Sequence, residues 1–388
     1  MRQFDTPWTD SKGVKIVIVT ESFLPQLNGV TNSVIRVARH QRDLGHDVSI
    51  VAPTRPGPEF EGIPVYVVPS IPLVKFAVGI PSLALTTLLD RIAPDLMHVA
   101  SPFALGAQAI AYAQRNSIAS VAVYQTDIAG YLHRYGMAVA KPMVDRFVVN
   151  THNAATVTLA PTPIARDALT ELGVKNLAVW GRGVDLDSFH PNNRFSDDAV
   201  AFRQKHAPNG EHIIGYVGRL AAEKQVDRFR ELTSIPNTRI ILIGDGPDRA
   251  RLETMFPSDS VTFLGSRSGR ELQIAYAAMD AFVHFGTEET FGQTIQEAQA
   301  AGVPVVAPRS GGPIHLIDSG VDGILFNVDV AESPRVAVKH LIDDAELRAR
   351  MGEAGRRRVL GKSWEAVNDE LTHHYDVARA RVKRPALA

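Results

Sequence analysis

Lys15-Ile-Val-Ile-Val-Thr20 is an unbroken β-branched run with polar residues at both ends. That is the pattern of a strand covered on both faces, as in a parallel sheet. Val34, Val37, Ala38 and Leu44 then recur at helical spacing over Val30–Leu44, and Gly45 stops the run. Further strands are predicted over Asp47–Ala52, Pro94–Ala100, Ser120–Tyr124, Val157–Ala160 and Leu177–Trp180, with a helix over Phe103–Gln114. Strand and helix alternating at this spacing means βαβ units and an open parallel sheet.

The polar stretch His190-Pro-Asn-Asn-Arg-Phe-Ser-Asp-Asp198 interrupts the pattern and reads as a linker or a loop beside one. The alternation restarts with strands predicted over His212–Val217, Arg239–Ile243, Val261–Leu264, Ala281–His284 and Pro304–Ala307. From Ser363 onward, Trp364, Val367, Leu371 and Tyr375 share one helical face. The fold class expected is therefore α/β, with two doubly wound Rossmann-like parallel-sheet domains over 1–188 and 189–362. A last helix over 363–388 is expected to cross back to the first domain. Ligands of open sheets bind beyond the strands' carboxyl ends, so the active site is expected in a cleft between the domains.

Length agrees with this division, since 388 residues at about 150 per domain give two or three domains. With 45% hydrophobic and 21% charged residues, disorder is excluded. Lys+Arg at 41 against Asp+Glu at 42 argues against a nucleic-acid partner. The absence of cysteine excludes a disulfide scaffold, a Cys-zinc site, an iron–sulfur cluster and a thiol nucleophile. Met1–Gly13 is polar and lacks the apolar core of a signal peptide, and no apolar run reaches 18 residues. A cytoplasmic location is expected.

Two segments could carry chemistry. Gly215-Tyr-Val-Gly218-Arg219-Leu-Ala-Ala-Glu-Lys224 follows a strand and is expected to open a helix, whose N–H groups with Arg219 and Lys224 would suit a diphosphate. A glycine-rich turn with two solvated cations is the plainer reading. Glu289-Thr-Phe291-Gly292 followed by Glu297 places one carboxylate before a helix and another on it, so both can reach one cavity. Carboxylates hold sugars because each oxygen accepts from vicinal hydroxyls, whereas two surface glutamates would do nothing. The order favours chemistry: a phosphate-type turn, then this pair, in one α/β domain.

Together with Asn28-Gly29-Val30 and Gly244-Asp245-Gly246-Pro247, these segments resemble the retaining GT-B glycosyltransferases of family 4. Thr20 to Ser33, Tyr124-Gln-Thr-Asp127 and Arg182-Gly-Val-Asp185 are most similar to actinobacterial GDP-mannose-dependent α-mannosyltransferases of glycolipid assembly. Sulfoquinovosyl-diacylglycerol synthases are the next most similar group.

The resemblance implies roles. Arg219 and Lys224 would hold the donor diphosphate, and Glu289 the donor sugar's hydroxyls. Gly218 would form the turn at the diphosphate, with Phe291 and Gly292 giving backbone contacts beside Glu289. Glu297 would hold the ribose, and Ser266 and Arg267 would lie against the base. Gly29, beside Asn28, would admit the diphosphate from the first domain. Gln125 stands where many relatives have a sugar-contacting His, so Asp127 or His133 would take over that role, Asp127 being placed among the catalytic residues. His98, at a strand end, is a further candidate contact. Asp185-Leu-Asp187 spells a metal-type motif, but in the resembling family it is a hinge turn, so no metal and no cofactor is expected beyond the nucleotide-sugar substrate.

Retention in this family leaves no enzyme nucleophile and implies same-face substitution. The acceptor is expected to be lipid-linked, a glucuronosyl diacylglycerol or a phosphatidylinositol mannoside, held by the apolar stretches Pro69–Leu89 and Tyr131–Val149. Apart from ligand binding, those stretches read as helices with core-facing apolar sides. Lys75, Arg134, Lys141 and Arg146 are few, so only a loose peripheral contact with the inner face of the plasma membrane is expected. A UDP-sugar-dependent sulfoquinovosyl-type transferase and a sugar-nucleotide 2-epimerase remain as alternatives.

Overall fold

The computed structural model describes residues 13–26, 28–73, 76–100, 102–125, 141–256 and 259–383. It divides into two units, Met1–Gly181 with Val367–Ala388, and Arg182–Ala366.

In the first unit the described strands are β1 (Lys15–Thr20), β2 (Asp47–Ala52), β3 (Glu59–Phe60), β4 (Ile63–Val67), β5 (Ser70–Leu73), β6 (Phe76–Gly79), β7 (Leu96–Ala100), β8 (Ala119–Val123), β9 (Val157–Ala160) and β10 (Leu177–Val179). Eight form one sheet in the order β10-β9-β8-β7-β1-β2-β4-β3, parallel except where β3 meets β4. β1 is buried at every position after Lys15. Alternate residues point to opposite faces: Ile16 and Ile18 pack with Val34 and Val37, while Val17 and Val19 pack with Leu89 and Ile110. Each such large side chain contributes roughly 1.5–3 kcal/mol by burial.

The last helix, Trp364–Lys383, sends Val367, Leu371, Tyr375 and Ala378 into the first face's core. Trp180 Nε1–H donates to the Val367 carbonyl at 2.8 Å and Gln41 Nε2–H to Thr372 Oγ1 at 2.8 Å. Trp364 itself lies against Gly183, and Val184 N–H donates to the Lys362 carbonyl at 2.9 Å. The units therefore divide at 181/182 and 366/367, inside the last helix, because the two crossing segments run side by side there.

The second unit holds β11 (His212–Val217), β12 (Thr238–Ile243), β13 (Val261–Gly265), β14 (Ala281–Val283), β15 (Val305–Pro308) and β16 (Gly323–Phe326), all parallel, in the order β13-β12-β11-β14-β15-β16. Its faces are again separate cores, Ile214, Tyr216 and Leu242 on one and Ile213, Ile241 and Phe282 on the other. Among the parallel strands of each sheet the order reverses once, at β1/β7 and at β11/β14. Loops leaving such neighbours diverge and leave a crevice, which is where a ligand is expected.

Three local expectations are corrected. The segment 190–198 is a 3₁₀ turn, Pro191–Phe195, then a helix, Asp197–His206, because Ser196 Oγ accepts from Ala199 N–H and caps it. Within the stretch 69–89, β5 and β6 pair antiparallel and the helix Leu83–Ile92 follows, so only its last part is helical. After Gly218 there is no α-helix: two 3₁₀ turns, Ala222–Lys224 and Val226–Glu231, are separated by Gln225 at φ 49°. Turns that short supply no helix dipole.

Candidate active site

The phosphate-type turn is held by its neighbour rather than by a helix. Gly218 N–H donates to the Ile243 carbonyl at 2.9 Å and Leu220 N–H to the Asp245 carbonyl at 2.9 Å, lacing the loops after β11 and β12. A Cβ on Gly244 would stand 1.8 Å from Gly218 O, so only glycine permits the approach. Tyr216 Oη–H supports the same turn by donating to the Arg219 carbonyl at 3.0 Å. The Arg219 side chain is exposed and pairs with Glu223.

Lys224 crosses the switch point. Its Nζ lies 2.6 Å from Glu289 Oε2, both side chains being largely buried. Burial alone would raise the Glu289 carboxyl, but Lys224 above all, with the Phe291 N–H beside it, holds it below the usual carboxylate range. That N–H thus lies beside the Glu289 carboxylate. Arg182 lies near enough that Glu289 supports its charge against burial.

The loop bearing Glu289 is shaped from behind. Gly312 N–H donates to the Glu289 carbonyl at 2.7 Å, and a Cβ on Gly312 would come within 2.4 Å of Phe291 O. Ser310 Oγ–H donates to the Thr287 carbonyl at 2.9 Å, and Gln225 Nε2–H to Thr287 Oγ1 at 3.0 Å. Gly292, at φ 103°, precedes the helix Gln293–Ala300, while the Phe291 ring is buried in the core. Glu297, on that helix, accepts from Tyr276 Oη–H at 2.9 Å. Burial pushes its carboxyl up to about 7 despite Tyr276 and Gln293. Ser266 and Arg267 are exposed in the loop after β13.

Family models match both parts of the chain, "Glycosyltransferase Family 4" over residues 27–188 and "Glycosyl transferases group 1" over 198–358. The GDP-mannose-dependent alpha-mannosyltransferase of Mycobacterium tuberculosis is 41% identical over 379 residues, covering 95% of this chain and 98% of the relative. The chain belongs to glycosyltransferase family 4. Its namesake in Corynebacterium glutamicum is 40% identical, covering 93% and 88% of the two chains. Sulfoquinovosyl transferase SQD2 of Arabidopsis thaliana is 31% identical, covering 95% and 75%. In fold, the glycosyltransferase is similar to sucrose-phosphate synthase of Thermosynechococcus elongatus (TM-score 0.80, 19% identity, 95% and 100% covered). Anabaena HepE in complex with UDP and glucose has a TM-score of 0.77 at 21% identity, with 94% and 99% covered. These likenesses identify the fold as GT-B.

In the first unit of this glycosyltransferase, Asn28 caps the helix Gly29–Asp43, its Oδ1 accepting from Val30 and Thr31 N–H at 3.0 Å each. Gly29 is exposed as that helix's first residue, beyond the carboxyl end of β1. Gln125 is half-buried after β8, whereas Asp127 and His133 lie outside the described residues. His98 is corrected. It is wholly buried, its Nδ1 is 2.8 Å from Tyr375 Oη, and burial takes its pKa down to about 3, so it is a core residue that cannot reach a ligand.

Asp185 Oδ1 accepts from Ser188 N–H at 3.0 Å, closing a turn. Among the described residues no group of three or more His, Asp or Glu could hold a metal, and no helix is long and apolar enough to cross a membrane. Sequence reasoning missed Arg182, Tyr216, Tyr276, His284 and the Gly311-Gly312 pair as parts of this site. Only the paired glycines after β15 carried a local signal, since tandem glycine after a strand marks close backbone approach.

Proposed function

We propose that this glycosyltransferase moves an α-mannosyl group from GDP-mannose to a lipid-linked acceptor with retention of configuration. The donor assignment is carried by identity of 40–41% along nearly the whole chain to enzymes called GDP-mannose-dependent alpha-mannosyltransferases. Arg219 and Lys224 hold the diphosphate and stabilise the charge that grows on it as it leaves, an electrostatic role that needs no metal. Glu289 accepts from the sugar's hydroxyls and Glu297 from the ribose. Gly218, Phe291 and Gly292 give backbone contacts, Ser266 and Arg267 flank the base, and Gly29 with Asn28 serves the donor. Asp127, Gln125 and His133 serve the sugar and acceptor.

In the step, the bond from the anomeric carbon to the diphosphate oxygen breaks as the acceptor oxygen bonds on the same face. The acceptor's proton passes to the departing diphosphate oxygen, and GDP leaves.

A lipid-linked acceptor, of the glucuronosyl diacylglycerol or phosphatidylinositol mannoside type, is supported by apolar side chains exposed on the first unit. Ile80, Leu83, Phe103 and Met143 are open to solvent; Leu83 and Met143 stand on helices that pack on the helix Ala104–Arg115, and Phe103 is that helix's own N-cap. Exposed apolar residues flanked by Lys141 and Arg146 suit loose contact with a cytoplasmic membrane leaflet.

Thermal unfolding with GDP-mannose, GDP, UDP-glucose, UDP-sulfoquinovose and UDP tests the donor, because a ligand of the folded state raises its stability by mass action. Stabilisation by the guanine pair supports the proposal. Stabilisation by uridine compounds alone overturns it in favour of the sulfoquinovosyl-type reading, which the likeness to SQD2 supports. Conversion of the donor without any acceptor would point to an epimerase.

A further inference from the structure

His284 follows β14 directly, at the root of the loop that carries Glu289. Its side chain is 2% exposed and lies nearly parallel to the Tyr216 ring, centroids 6.3 Å apart. Neither ring nitrogen makes a well-formed hydrogen bond among the described residues, although the Gly286 backbone lies beside the ring. A buried polar group without a partner is costly, so its surroundings should supply one in some state of the protein.

The carboxylate oxygen facing it is the one Lys224 already holds. His284 Nε2 lies 3.8 Å from Glu289 Oε2, too far for a hydrogen bond, while Lys224 Nζ sits 2.6 Å from the same atom. Gly286 leaves the path between them open, since a Cβ there would stand 3.0 Å from Nε2. Burial keeps the imidazole neutral, with one N–H to give and no charge to compete for the diphosphate.

We propose that His284 is a positioning residue that takes over Glu289 Oε2 when the donor diphosphate draws Lys224 away. This rests on the assignment of Lys224 to the diphosphate and Glu289 to the sugar. One ammonium cannot stay at its shortest distance to both anions. A shift of about 1 Å brings Nε2–H into hydrogen-bond range. With Oε2 fixed from behind, Oε1 is left for a sugar hydroxyl. His284 therefore matters to a donor that carries a sugar and not to the bare nucleoside diphosphate, for which Glu289 has nothing to hold.

The test compares affinities for GDP-mannose and GDP by calorimetry in the parent, His284→Leu, His284→Phe and His284→Gln. Leu and Phe fill the slot against Tyr216 without a donor, and Gln keeps an N–H. Loss of a charge-assisted hydrogen bond should weaken GDP-mannose about tenfold or more in the Leu and Phe variants and leave GDP within about twofold. Gln should recover a large part of the loss, and kcat/KM should follow GDP-mannose affinity. Equal weakening of both ligands, or unchanged affinity for both, overturns the proposal. So does a Gln variant as impaired as Leu while melting with the parent. If the parent binds neither guanine compound, the donor reading has failed, and the same comparison with a bound UDP-sugar against UDP still decides the role of His284.

Discussion

Lys224 Nζ and Glu289 Oε2, 2.6 Å apart, join residues separated by 65 positions across the switch point of the second sheet. The cation proposed for the diphosphate is thus held, without donor, by the carboxylate proposed for the sugar. Lys224→Met should cost about a hundredfold or more in kcat/KM, as loss of a preorganised charge does. It also removes the partner that keeps Glu289 below its usual range. The acid limb of the kcat/KM profile should therefore move to higher pH, and an unmoved limb would count against Glu289 acting as a carboxylate in the reaction.

Glu297 titrates near 7 because burial opposes its charge. Its ionised form accepts more hydrogen bonds than the acid, so GDP affinity should rise between about pH 6 and 8. Tyr276 donates to that carboxylate and favours the ionised form. Tyr276→Phe should shift the rise to higher pH. The raised pKa also means that this group's contribution to stability is greatest in acid and is lost as pH climbs from 4.5 toward 7. Flat affinity in the parent would remove Glu297 from the donor site.

Asp280 locks the second unit. Its carboxylate accepts from Arg194 at 2.5 Å, Arg203 at 2.8 Å and Ile213 N–H at 2.8 Å. Removing one side of a buried pair leaves uncompensated charge, so Asp280→Ala should cost about 3 kcal/mol in denaturant unfolding. Burial raises the Asp280 pKa, but the two arginines together with the Ile213 N–H bring it below its ordinary value. Its contribution is therefore present above the unfolded value of 3.8 and lost as pH falls through the lower folded one.

His98 and Tyr375 fasten the last helix to the first unit, 2.8 Å between Nδ1 and Oη. Tyr375→Phe should lower stability by about 1 kcal/mol, measured by the urea midpoint, and leave donor KM unchanged. Burial depresses the His98 pKa from 6.5 to about 3. Its share of stability is complete above 6.5 and declines as pH falls toward 3, because the unfolded chain takes up the proton first. His98→Phe should flatten that part of the profile; a changed donor KM would instead mean that His98 acts on the site.

Much of the fold was legible because its signals are local. β-branched runs such as Lys15–Thr20 and His212–Val217 can be satisfied only by burial on both faces, and the helices between them fix a parallel sheet. The candidate residues were legible because they follow strand ends, where open sheets bind ligands. Helicity after Gly218 misled, since αL backbone at Gln225 and packing of the turn against Gly244 override the local pattern.

By itself the sequence determined the strands, the two-fold βαβ plan and which residue types stand at strand ends, since periodicity and turn chemistry act over a few residues. Tertiary structure alone decided who meets whom. Lys224 reaches Glu289 only because β14 pairs with β11, and His284 lies behind Glu289 only because Tyr216 sits on that neighbouring strand. It also turned His98 from a candidate contact into a core residue, by bringing Tyr375 to it from 277 positions away. Local periodicity says which face a side chain occupies, but strand order and long-range packing choose what lies against that face.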